Sequence, residues 1–316
     1  MARYVVLGAG AIGRGTAQEL AEAGHTVRIV SRSGRGGGIR GVEPVAADVT
    51  DATRLSEIAE GAGAIVNALN PAQYWKWDEL WPPMAAAILE AAERSRAALV
   101  TVNNLYLYGR VDGPMREDTA VSPNGHKGEI RARMWRDALA LNDAGRLRAT
   151  ELRASDYVGA GMDMQSVLNA FVIKPAMRGR GGWLPMGDPD APHTWTSGRD
   201  VARLAARLAT EPFDSPAWGR PWHVPSAPPR SMAQVAADTA ALVGQPVRRP
   251  HRVPTPVVDA VGLVYPLLRE LRETRHQFER PFVLDASLTE QTFGLTATPW
   301  DVTLKETVAY LSGTAA

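Results

Sequence analysis

A glycine-rich segment close to the amino terminus constrains the fold of this chain more than any other feature. Residues 3–8 form an apolar run that ends in Gly8-Ala9-Gly10-Ala11-Ile12-Gly13, and helical periodicity follows over 11–23. A strand, a tight turn and a helix in direct succession are typical of the start of a βαβ unit. The first glycine permits the turn, the second lets a ligand approach the backbone, and the third allows close packing of helix on strand.

The same turn predicts the kind of ligand. Backbone N–H groups at a helix amino terminus, together with the positive end of the helix dipole, attract a phosphate group. Gly8, Gly10, Ala11, Ile12 and Gly13 are therefore candidates for binding the pyrophosphate of a dinucleotide. The position of the motif between a strand and a helix distinguishes it from a glycine-rich turn without a ligand.

Strands and helices alternate through the first half of the chain. Helices are predicted near 51–60, 79–95 and 126–144, and further strands near 26–31, 43–47, 63–68, 97–103 and 147–153. Strands that are separated by helices form right-handed crossovers and a parallel sheet with helices on both faces. The sequence therefore predicts an α/β fold, with a doubly wound Rossmann domain over 1–155.

The pattern changes after residue 155, where prolines and glycines become frequent and the alternation stops. We expect 156–316 to be mainly a smaller, irregular region that binds the substrate, and 197–224 to rejoin the Rossmann domain. Ser197 and Ser231 are suitable N-caps for helices in this part. The helices predicted there cover 198–210, 231–243 and 301–312.

Composition excludes several classes of protein. With 35 basic and 34 acidic residues the formal net charge is +1, so no strong field attracts nucleic acid or an anionic membrane. The chain has no cysteine, and its six histidines show no metal-ligand spacing. It turns glycine-rich at Gly8, too early for a signal peptide, and no run of about 18 apolar residues follows. We expect a cytoplasmic protein with a small-molecule substrate, without a metal, a nucleic-acid partner or a membrane partner.

The end of the second predicted strand bears on which dinucleotide binds. An acidic residue there accepts hydrogen bonds from the adenosine ribose, but this chain has Ser31-Arg32-Ser33. A guanidinium forms paired hydrogen bonds with a phosphate, so Arg32, helped by the flanking serines, favours NADP (NADPH) over NAD. The alternative is an arginine on a solvated loop. Asp48, after the third strand, can receive the adenine amino group or cap the following helix.

Several segments match, in chain order, the landmarks of one family. Besides the glycine motif they are Ala47-Asp48-Val49, Val66-Asn67-Ala68, 104–109, 152–159, 194–202 and Phe293-Gly294-Leu295 with Pro299. The chain therefore resembles the extended and atypical short-chain dehydrogenase/reductases, the group that contains the NAD-dependent epimerase/dehydratases. This resemblance implies a Rossmann fold and a nicotinamide dinucleotide, with Asp48, Val49, Asn67, Ala68 and Leu69 as further cofactor-binding residues.

The catalytic pattern of that family is incomplete in this chain. Its members use a serine or threonine and a Y-x-x-x-K pair for proton transfer, while nicotinamide exchanges a hydride with the substrate. The distance to Tyr108-Gly109 puts Asn104 at the serine position, and the resemblance implies that Lys127 binds the nicotinamide ribose. Four residues before Lys127 stands Pro123, and a slip of one residue gives Asn124. Neither is an acid, so the tyrosine is missing.

Another group must then supply the proton, because a positioned donor contributes about 10²–10⁴-fold to such a step. Tyr106 is the first candidate. It follows Asn104 by two residues, so both side chains project to the same face if the strand continues that far. Tyr157 and Asp156 are the alternatives. Packing at a strand–loop junction is the other interpretation of Tyr106.

Aromatic and thioether side chains indicate where the substrate binds. A tyrosine and three tryptophans crowd the loop after the fourth strand, where they either cover the core or wall an apolar cavity. Further apolar groups come from the second domain. The predicted substrate-binding residues are Tyr74, Trp75, Asn104, Tyr106, Met162 and Trp195, with Trp77, Trp81, Met164 and Trp183 as additional members of the wall.

Three functions are consistent with these residues. We favour an NADP-dependent oxidoreductase that acts on a carbonyl, imine or alcohol of a small, partly apolar or aromatic molecule. The alternative enzyme is a nucleotide-sugar epimerase or dehydratase, with Arg178, Arg180 and Arg230 available for the diphosphate. The third is a cofactor-binding sensor or scaffold without catalysis. A homodimer through the helices at 79–95 and 126–144 is also expected, although alanine-rich helices equally cover sheets.

Overall fold

Short strands and longer helices make up the computed structural model, which describes residues 2–71, 73–162 and 166–314. Its strands are β1 (Arg3–Leu7), β2 (Thr26–Ser31), β3 (Val42–Ala46), β4 (Ala62–Asn67), β5 (Ala98–Asn104), β6 (Ala149–Ala154), β7 (Asp156–Val158), β8 (Trp183–Leu184), β9 (Trp195–Ser197), β10 (Pro221–His223) and β11 (His251–Arg252). Its helices are α1 (Ala11–Glu22), α2 (Ala52–Ile58), α3 (Trp77–Ser95), α4 (His126–Asp143), α5 (Lys174–Ala176), α6 (Gly198–Ala209), α7 (Met232–Leu242), α8 (Thr255–Gly262), α9 (Pro266–Thr274), α10 (His276–Glu279), α11 (Ser287–Phe293) and α12 (Trp300–Leu311).

The chain forms two units that alternate along the sequence. Unit 1 consists of Met1–Asn104, Glu129–Arg153 and Arg199–Trp222, and unit 2 of Leu105–Gly128, Ala154–Gly198 and His223–Ala316. The segment Leu105–Gly128 falls within the predicted Rossmann domain but belongs to unit 2. Contacts within that unit explain its place, because Met115 forms a bridge with Leu284 and Lys127 pairs with a carboxylate of α9.

A seven-stranded sheet forms the centre of unit 1. Its strand order is β10-β6-β5-β4-β1-β2-β3. β1 pairs in parallel with both β2 and β4, which aligns Leu7 with Val30 on one side and with Asn67 on the other. The predicted α/β fold is thus confirmed. Ligands of such sheets bind outside the carboxyl ends of the strands, where the strand order reverses, and the glycine motif follows β1 at that point.

Helices α2, α3 and α4 contribute to the core of unit 1. Ile88, Ala91 and Ala92 of α3 and Trp135 and Ala138 of α4 are buried together with the strands. Strands that are covered on both faces need apolar side chains almost throughout, as in β1, where four of five residues are buried. The alanines of the two long helices therefore pack into this core, and the homodimer stays a prediction.

Unit 2 consists of helices and two small parallel sheets. β7 pairs with β9, and β8 pairs with β11. Its core includes Leu168, Val172, Val235 and Leu304. Ser231 caps α7 in a capping box with Gln234, as its position before an apolar helix predicts.

Buried ionisable side chains form pairs in both units. Arg153 pairs with Glu151 in unit 1, and within unit 2 His193 pairs with Asp156 and Lys127 with carboxylates of α9. The described histidines, aspartates and glutamates form no group of three or more that could hold a metal ion. Across the described ranges, no helix combines the length and the hydrophobicity needed to cross a membrane.

Candidate functional site

The turn between β1 and α1 has a shape that only glycines allow. Gly8 has a φ of +103°, and a Cβ there would lie 2.9 Å from the carbonyl oxygen of Ala68. A Cβ at Gly13 would lie 1.9 Å from the carbonyl oxygen of Gly8, so β1 and α1 approach this closely only without a side chain. At Gly10 an added Cβ meets no atom within 4 Å. Gly10 therefore borders open space that a ligand can occupy.

The amino terminus of α1 supplies donors at this turn. Gly10 is the N-cap residue, no side chain caps the helix, and the first turn contains no acidic residue. The first N–H groups of a helix have no partner within the helix, and here they include those of Ala11 and Ile12. Uncapped donors beside open space, with no carboxylate in that turn to repel an anion, fit a dinucleotide pyrophosphate.

The loop after β2 carries the arginine that is predicted to select NADP. Ser31 donates a hydrogen bond to the carbonyl oxygen of Arg35 at 2.9 Å, and the Arg35 guanidinium donates to the Ser33 hydroxyl at 3.0 Å. These bonds fold the loop back on itself. Arg32 and Ser33 lie exposed on it. The guanidinium of Arg32 is therefore accessible to a ligand phosphate.

Asp48 lies in a turn that begins after β3. Its Oδ1 accepts hydrogen bonds from the backbone N–H and the hydroxyl of Thr50 at 2.9 and 2.8 Å. These bonds lower the pKa of the Asp48 carboxyl, and the positive charge of Arg32 adds to the effect. The helix cap belongs instead to Asp51, whose carboxylate accepts a hydrogen bond from the N–H of Arg54. Contact between Asp48 and an adenine stays a prediction.

The carboxyl end of β4 lies beside the glycine turn. The N–H of Ala68 donates to the last carbonyl of β1 at 3.0 Å, and Asn67 Oδ1 accepts a hydrogen bond from Leu69 at 3.2 Å. Asn67 and Val49 are buried. The structure therefore brings Gly8 next to residues of the neighbouring strand that the family resemblance assigns to the cofactor.

A buried charged network supports the end of β5. Asn103 accepts a hydrogen bond from the N–H of Asn104 at 2.8 Å and donates to Glu151 at 2.6 Å. Glu151 also accepts from Arg153 at 2.7 Å. Removing one partner would leave an uncompensated buried charge, so the network fixes this strand end. Sequence analysis missed the network, although two charged residues on a buried strand were a signal for it.

Tyr106 does not continue strand β5. The strand ends at Asn104, and Tyr106–Tyr108 forms one turn of 3-10 helix. The alternation that would put both side chains on one face therefore stops before Tyr106, which is half-buried. The hydroxyl of Tyr108 lies 2.7 Å from Nε2 of His223 in the interior of unit 2. The alternation along β5 therefore does not support Tyr106 as the proton donor. The proton-donor roles of Tyr106 and of Tyr157, which is half-buried on β7, stay predictions.

Lys127 lies at the start of α4 with only 1% of its side chain exposed. Its ammonium donates to Glu270 at 2.5 Å and to Glu273 at 2.9 Å. Its backbone N–H donates to the other oxygen of Glu273 at 2.6 Å. The predicted contact with ribose hydroxyls therefore competes with two carboxylates. These partners are more than 140 residues away in the chain, and no sequence spacing indicated them.

Asp156 begins β7 and pairs with a residue that the sequence analysis did not single out. Its Oδ2 lies 2.9 Å from Nε2 of His193. The parallel pairing of β7 with β9 sets Asp156 beside Trp195, two residues after His193. The spacing of Asp156 and His193 in the sequence did not predict this contact, because the two side chains meet only where strands β7 and β9 pair.

The predicted aromatic wall of unit 1 separates into core and surface residues. Trp77 and Trp81 are buried, and the guanidinium carbon of Arg131 lies 4.9 and 4.3 Å from their ring centroids. Tyr74 packs against Trp77 at a centroid distance of 4.5 Å. Trp75 is 43% exposed. Two of the three indoles thus cover the core, and Trp75 is accessible to a ligand.

The apolar residues predicted from the second domain also differ in exposure. Trp195 is buried and stacks on His193 at a centroid distance of 4.1 Å. Met162 is buried, whereas Trp183 is exposed. Met164 lies outside the described residues. Contact of Met162 and Trp195 with a substrate stays a prediction.

Comparison of the sequence with known proteins identifies one family. The model of the NAD dependent epimerase/dehydratase family matches residues 4–220. No curated protein sequence matches the chain significantly. The match includes the glycine turn, the strands β1 to β6 and the helices between them.

Solved structures share the fold over nearly the whole chain. UDP-glucose 4-epimerase from Thermotoga maritima is 17% identical with a TM-score of 0.80, covering 99% of this chain and 100% of that one. A dTDP-glucose 4,6-dehydratase from Bacillus anthracis, in complex with NAD, is 16% identical with a TM-score of 0.78, covering 99% and 97%. A putative epimerase from Burkholderia cenocepacia is 20% identical with a TM-score of 0.77, covering 100% and 99%. At these identities the likeness establishes the shared fold.

Proposed function

Because the chain belongs to the NAD-dependent epimerase/dehydratase family, we propose that it removes a hydride from an alcohol carbon of a nucleotide-linked sugar and returns it, as an epimerase or a dehydratase. The turn formed by Gly8, Gly10 and Gly13 carries this proposal, because its open space and uncapped helix terminus fit a pyrophosphate. The nicotinamide cofactor supplies hydride transfer when bound. The protein's own side chains bind, orient and move the proton.

Two observations favour a sugar nucleotide over the small apolar molecule that the sequence alone favours. Trp77 and Trp81 are buried in unit 1, so fewer indoles remain for an apolar cavity. Arg178 and Arg180 are exposed in unit 2, where guanidinium groups can bind a diphosphate. The solved structures of similar fold include an epimerase with UDP-glucose and a dTDP-glucose dehydratase, which makes these two compounds the first to test.

NADP is the cofactor that we propose for this reaction. β2 ends without an acidic residue for the adenosine ribose, and Arg32 lies exposed directly after it. A guanidinium at this position attracts the additional phosphate of NADP. The dehydratase of similar fold was solved with NAD, so both dinucleotides belong in the test.

The experiment supplies the purified protein with UDP-glucose or dTDP-glucose together with oxidised NADP or NAD, and follows the sugar by NMR. An epimer or a keto sugar formed without net reduction of the cofactor supports the proposal. Gly10→Val is the matched control, because a side chain there fills the ligand space, and it should be inactive. If the protein binds the dinucleotide but converts neither sugar nucleotide, the proposal is wrong.

The exposed Trp75 favours a second candidate, the NADP-dependent oxidoreductase for a partly aromatic molecule. An exposed indole next to Tyr74 can pack on an apolar or aromatic substrate. Net oxidation of NADPH with a panel of aromatic and aliphatic carbonyl compounds, but no conversion of sugar nucleotides, would favour this candidate. Tight NADPH binding without turnover of either group of compounds would favour the sensor.

A further inference from the structure

Helix α8 and the turn that follows it expose large apolar side chains to solvent. Val257 and Val261 of the helix and Leu263, Val264 and Tyr265 of the turn are between 39% and 80% exposed. A surface helix of a globular protein turns such side chains toward the core, and an exposed group of them marks a surface that binds a partner. We call these five residues the apolar tip of unit 2.

Helical geometry places most of the apolar tip on one face. The N–H groups of Val264 and Tyr265 both donate to the carbonyl oxygen of Val261, at 3.1 and 3.0 Å, so the helical path continues past the end of α8. Val257, Val261 and Tyr265 are therefore neighbours at a spacing of four residues along this path. Val258 is buried. The helix thus has one face in the core and a second apolar face that meets solvent.

Arginines lie at both ends of α8 and beside its middle. Arg252 donates a hydrogen bond to the hydroxyl of the first residue of α8 at 3.1 Å. The backbone nitrogen of Arg269 in α9 would lie 3.3 Å from a Cβ on Gly262, which ends α8. Between them, Arg272 pairs with Asp259 of α8 at 3.0 Å. The side chains of the three arginines are between 43% and 57% exposed, so their charges border the apolar tip on the surface.

The charge of this part of the chain differs from that of the whole. Residues 248–280 contain seven arginines and four carboxylates, a formal charge of +3, whereas the whole chain has +1. Asp259 is the single charged residue over 253–268, and Arg272 and Arg275 both pair with it. Two guanidinium groups on one carboxylate leave an excess of positive charge beside α8. An anionic partner therefore complements the surroundings of the apolar tip.

Anionic phospholipid matches this combination better than a second copy of the chain does. A two-fold dimer places the same surface of both copies face to face, so the arginines around the tip would meet their own copies and repel each other. A bilayer has apolar acyl chains below anionic headgroups, which complements apolar side chains bordered by guanidinium groups. Tyr265 adds a ring with a polar hydroxyl, a side chain that prefers this boundary.

We propose that the apolar tip docks unit 2 on the surface of an anionic phospholipid bilayer. Its side chains enter the boundary between headgroups and acyl chains, about 5–10 Å deep, while Arg252, Arg269 and Arg272 bind headgroup phosphates. The protein lies on the bilayer without crossing it. A net charge of +1 averages over the whole chain and hides this local surface, which is why the sequence predicts no membrane partner. Docking needs neither the dinucleotide nor a substrate, so it is independent of the proposed function.

Sedimentation of the full chain with vesicles tests the docking. The wild type should sediment with vesicles of phosphatidylglycerol and phosphatidylcholine in equal amounts and stay in solution with phosphatidylcholine alone. Added salt should release it, because salt screens exposed charges. Leu263→Asp should weaken binding at least about tenfold, the usual contribution of one buried apolar side chain. Phe213→Asp, at an exposed apolar residue of unit 1, is the matched control and should bind like the wild type.

A second pair of variants tests the arginines. Arg269→Gln should weaken binding to the anionic vesicles about fivefold, the usual contribution of one basic residue near such a surface. Arg40→Gln, at an exposed arginine of unit 1, controls for the loss of one charge and should bind like the wild type. The melting temperatures of all four variants should stay near that of the wild type, because each side chain is exposed.

Three results would overturn the proposal. They are a wild type that sediments with neither kind of vesicle, a wild type that sediments equally with both, and binding that Leu263→Asp leaves unchanged. Light scattering without lipid tests a second copy as the partner, and Leu263→Asp should leave the molar mass unchanged. A wild-type oligomer that Leu263→Asp dissociates, together with no binding to vesicles, would assign the tip to a contact between copies instead.

Discussion

The three glycines of the turn between β1 and α1 meet different physical demands. Gly8 must adopt a positive φ, and Gly13 must leave room for the backbone of Gly8. Gly10 meets neither demand, because its backbone is extended and its missing side chain would enter open space. We therefore expect a side chain at position 10 to interfere with the ligand, whereas a side chain at position 13 would interfere with the fold.

Substitutions at these two positions should separate binding from stability. Gly10→Val should abolish NADPH binding and leave the melting temperature of the ligand-free protein near that of the wild type. Gly13→Val forces a side chain against backbone and should cost at least the ~1–3 kcal/mol that is typical of overpacking. Thermal unfolding and fluorescence titration measure the two effects. A folded Gly10→Val protein that binds NADPH as tightly as the wild type would contradict the assignment of the turn.

We expect the preference between dinucleotides to depend on one exposed side chain, that of Arg32. Arg32→Asp replaces a cation with an anion near the position predicted for the additional phosphate of NADP. NADPH binding should weaken by ~1.5–3 kcal/mol, roughly 10- to 100-fold, the range of a charge-assisted hydrogen bond, while NADH binding changes little. Arg40→Asp, an exposed arginine in the same loop, controls for the general change in charge. Tighter binding of NADH than of NADPH by the wild type would refute the proposed preference.

At the scale of elements, local patterns predict most of unit 1 and little of unit 2. Apolar periodicity and caps are properties of neighbouring residues, so strands such as β2 and a capped helix such as α7 are visible in the sequence. The end of β5 is visible as well, since the strand predicted to end near residue 103 ends at Asn104, but the 3-10 turn at Tyr106–Tyr108 that follows it is not. Contacts such as that of Lys127 with Glu273 depend on tertiary packing, which spacing in the sequence does not encode.

The contact between the segment Leu105–Gly128 and helix α10 should depend on pH. His276 at the start of that helix lies 3.1 Å from the carbonyl oxygen of Gly109. Burial lowers the pKa of His276. The hydrogen bonds to Glu273 and Gly109 oppose this in part, and the positive charges of Arg110 and Arg280 add to the lowering. The folded state therefore holds this ring neutral at a pH where the unfolded chain already binds a proton. Stability that comes from the neutral ring is lost as the pH falls through the unfolded value of about 6.5.

Thermal unfolding between about pH 7.5 and about pH 5 measures this effect. The melting temperature of the wild type should fall more steeply with acidification than that of His276→Gln, which has no titrating ring. His251→Gln, at an exposed histidine, is the control and should follow the wild type. Parallel curves for the wild type and His276→Gln would show that this ring does not link the stability of the protein to pH.

At the scale of the whole molecule, the residues predicted to bind ligands are distributed over both units. The glycine turn, Arg32 and the end of β4 lie in unit 1, whereas Lys127 and Asp156 lie in unit 2. Each unit is built from three separate stretches of chain, so no single cut in the sequence yields either unit intact. An experiment that asks which unit binds which ligand therefore has to use the full chain.

Hydrogen exchange of the full chain can assign each ligand to its unit. NADPH should slow amide exchange in peptides that cover Gly8–Gly13, Arg32 and Asn67–Leu69, because bound ligand suppresses the local openings that permit exchange. At about 100 times its Kd the ligand adds ~2.7 kcal/mol, so amides that exchange through openings incompatible with binding should slow about 100-fold. UDP-glucose added to the NADPH complex should then slow exchange around Asp156 and Arg178. In Gly10→Val, NADPH should no longer slow exchange in these peptides of unit 1. Slower exchange with NADPH in unit 2 alone would contradict the assignment of the dinucleotide to unit 1.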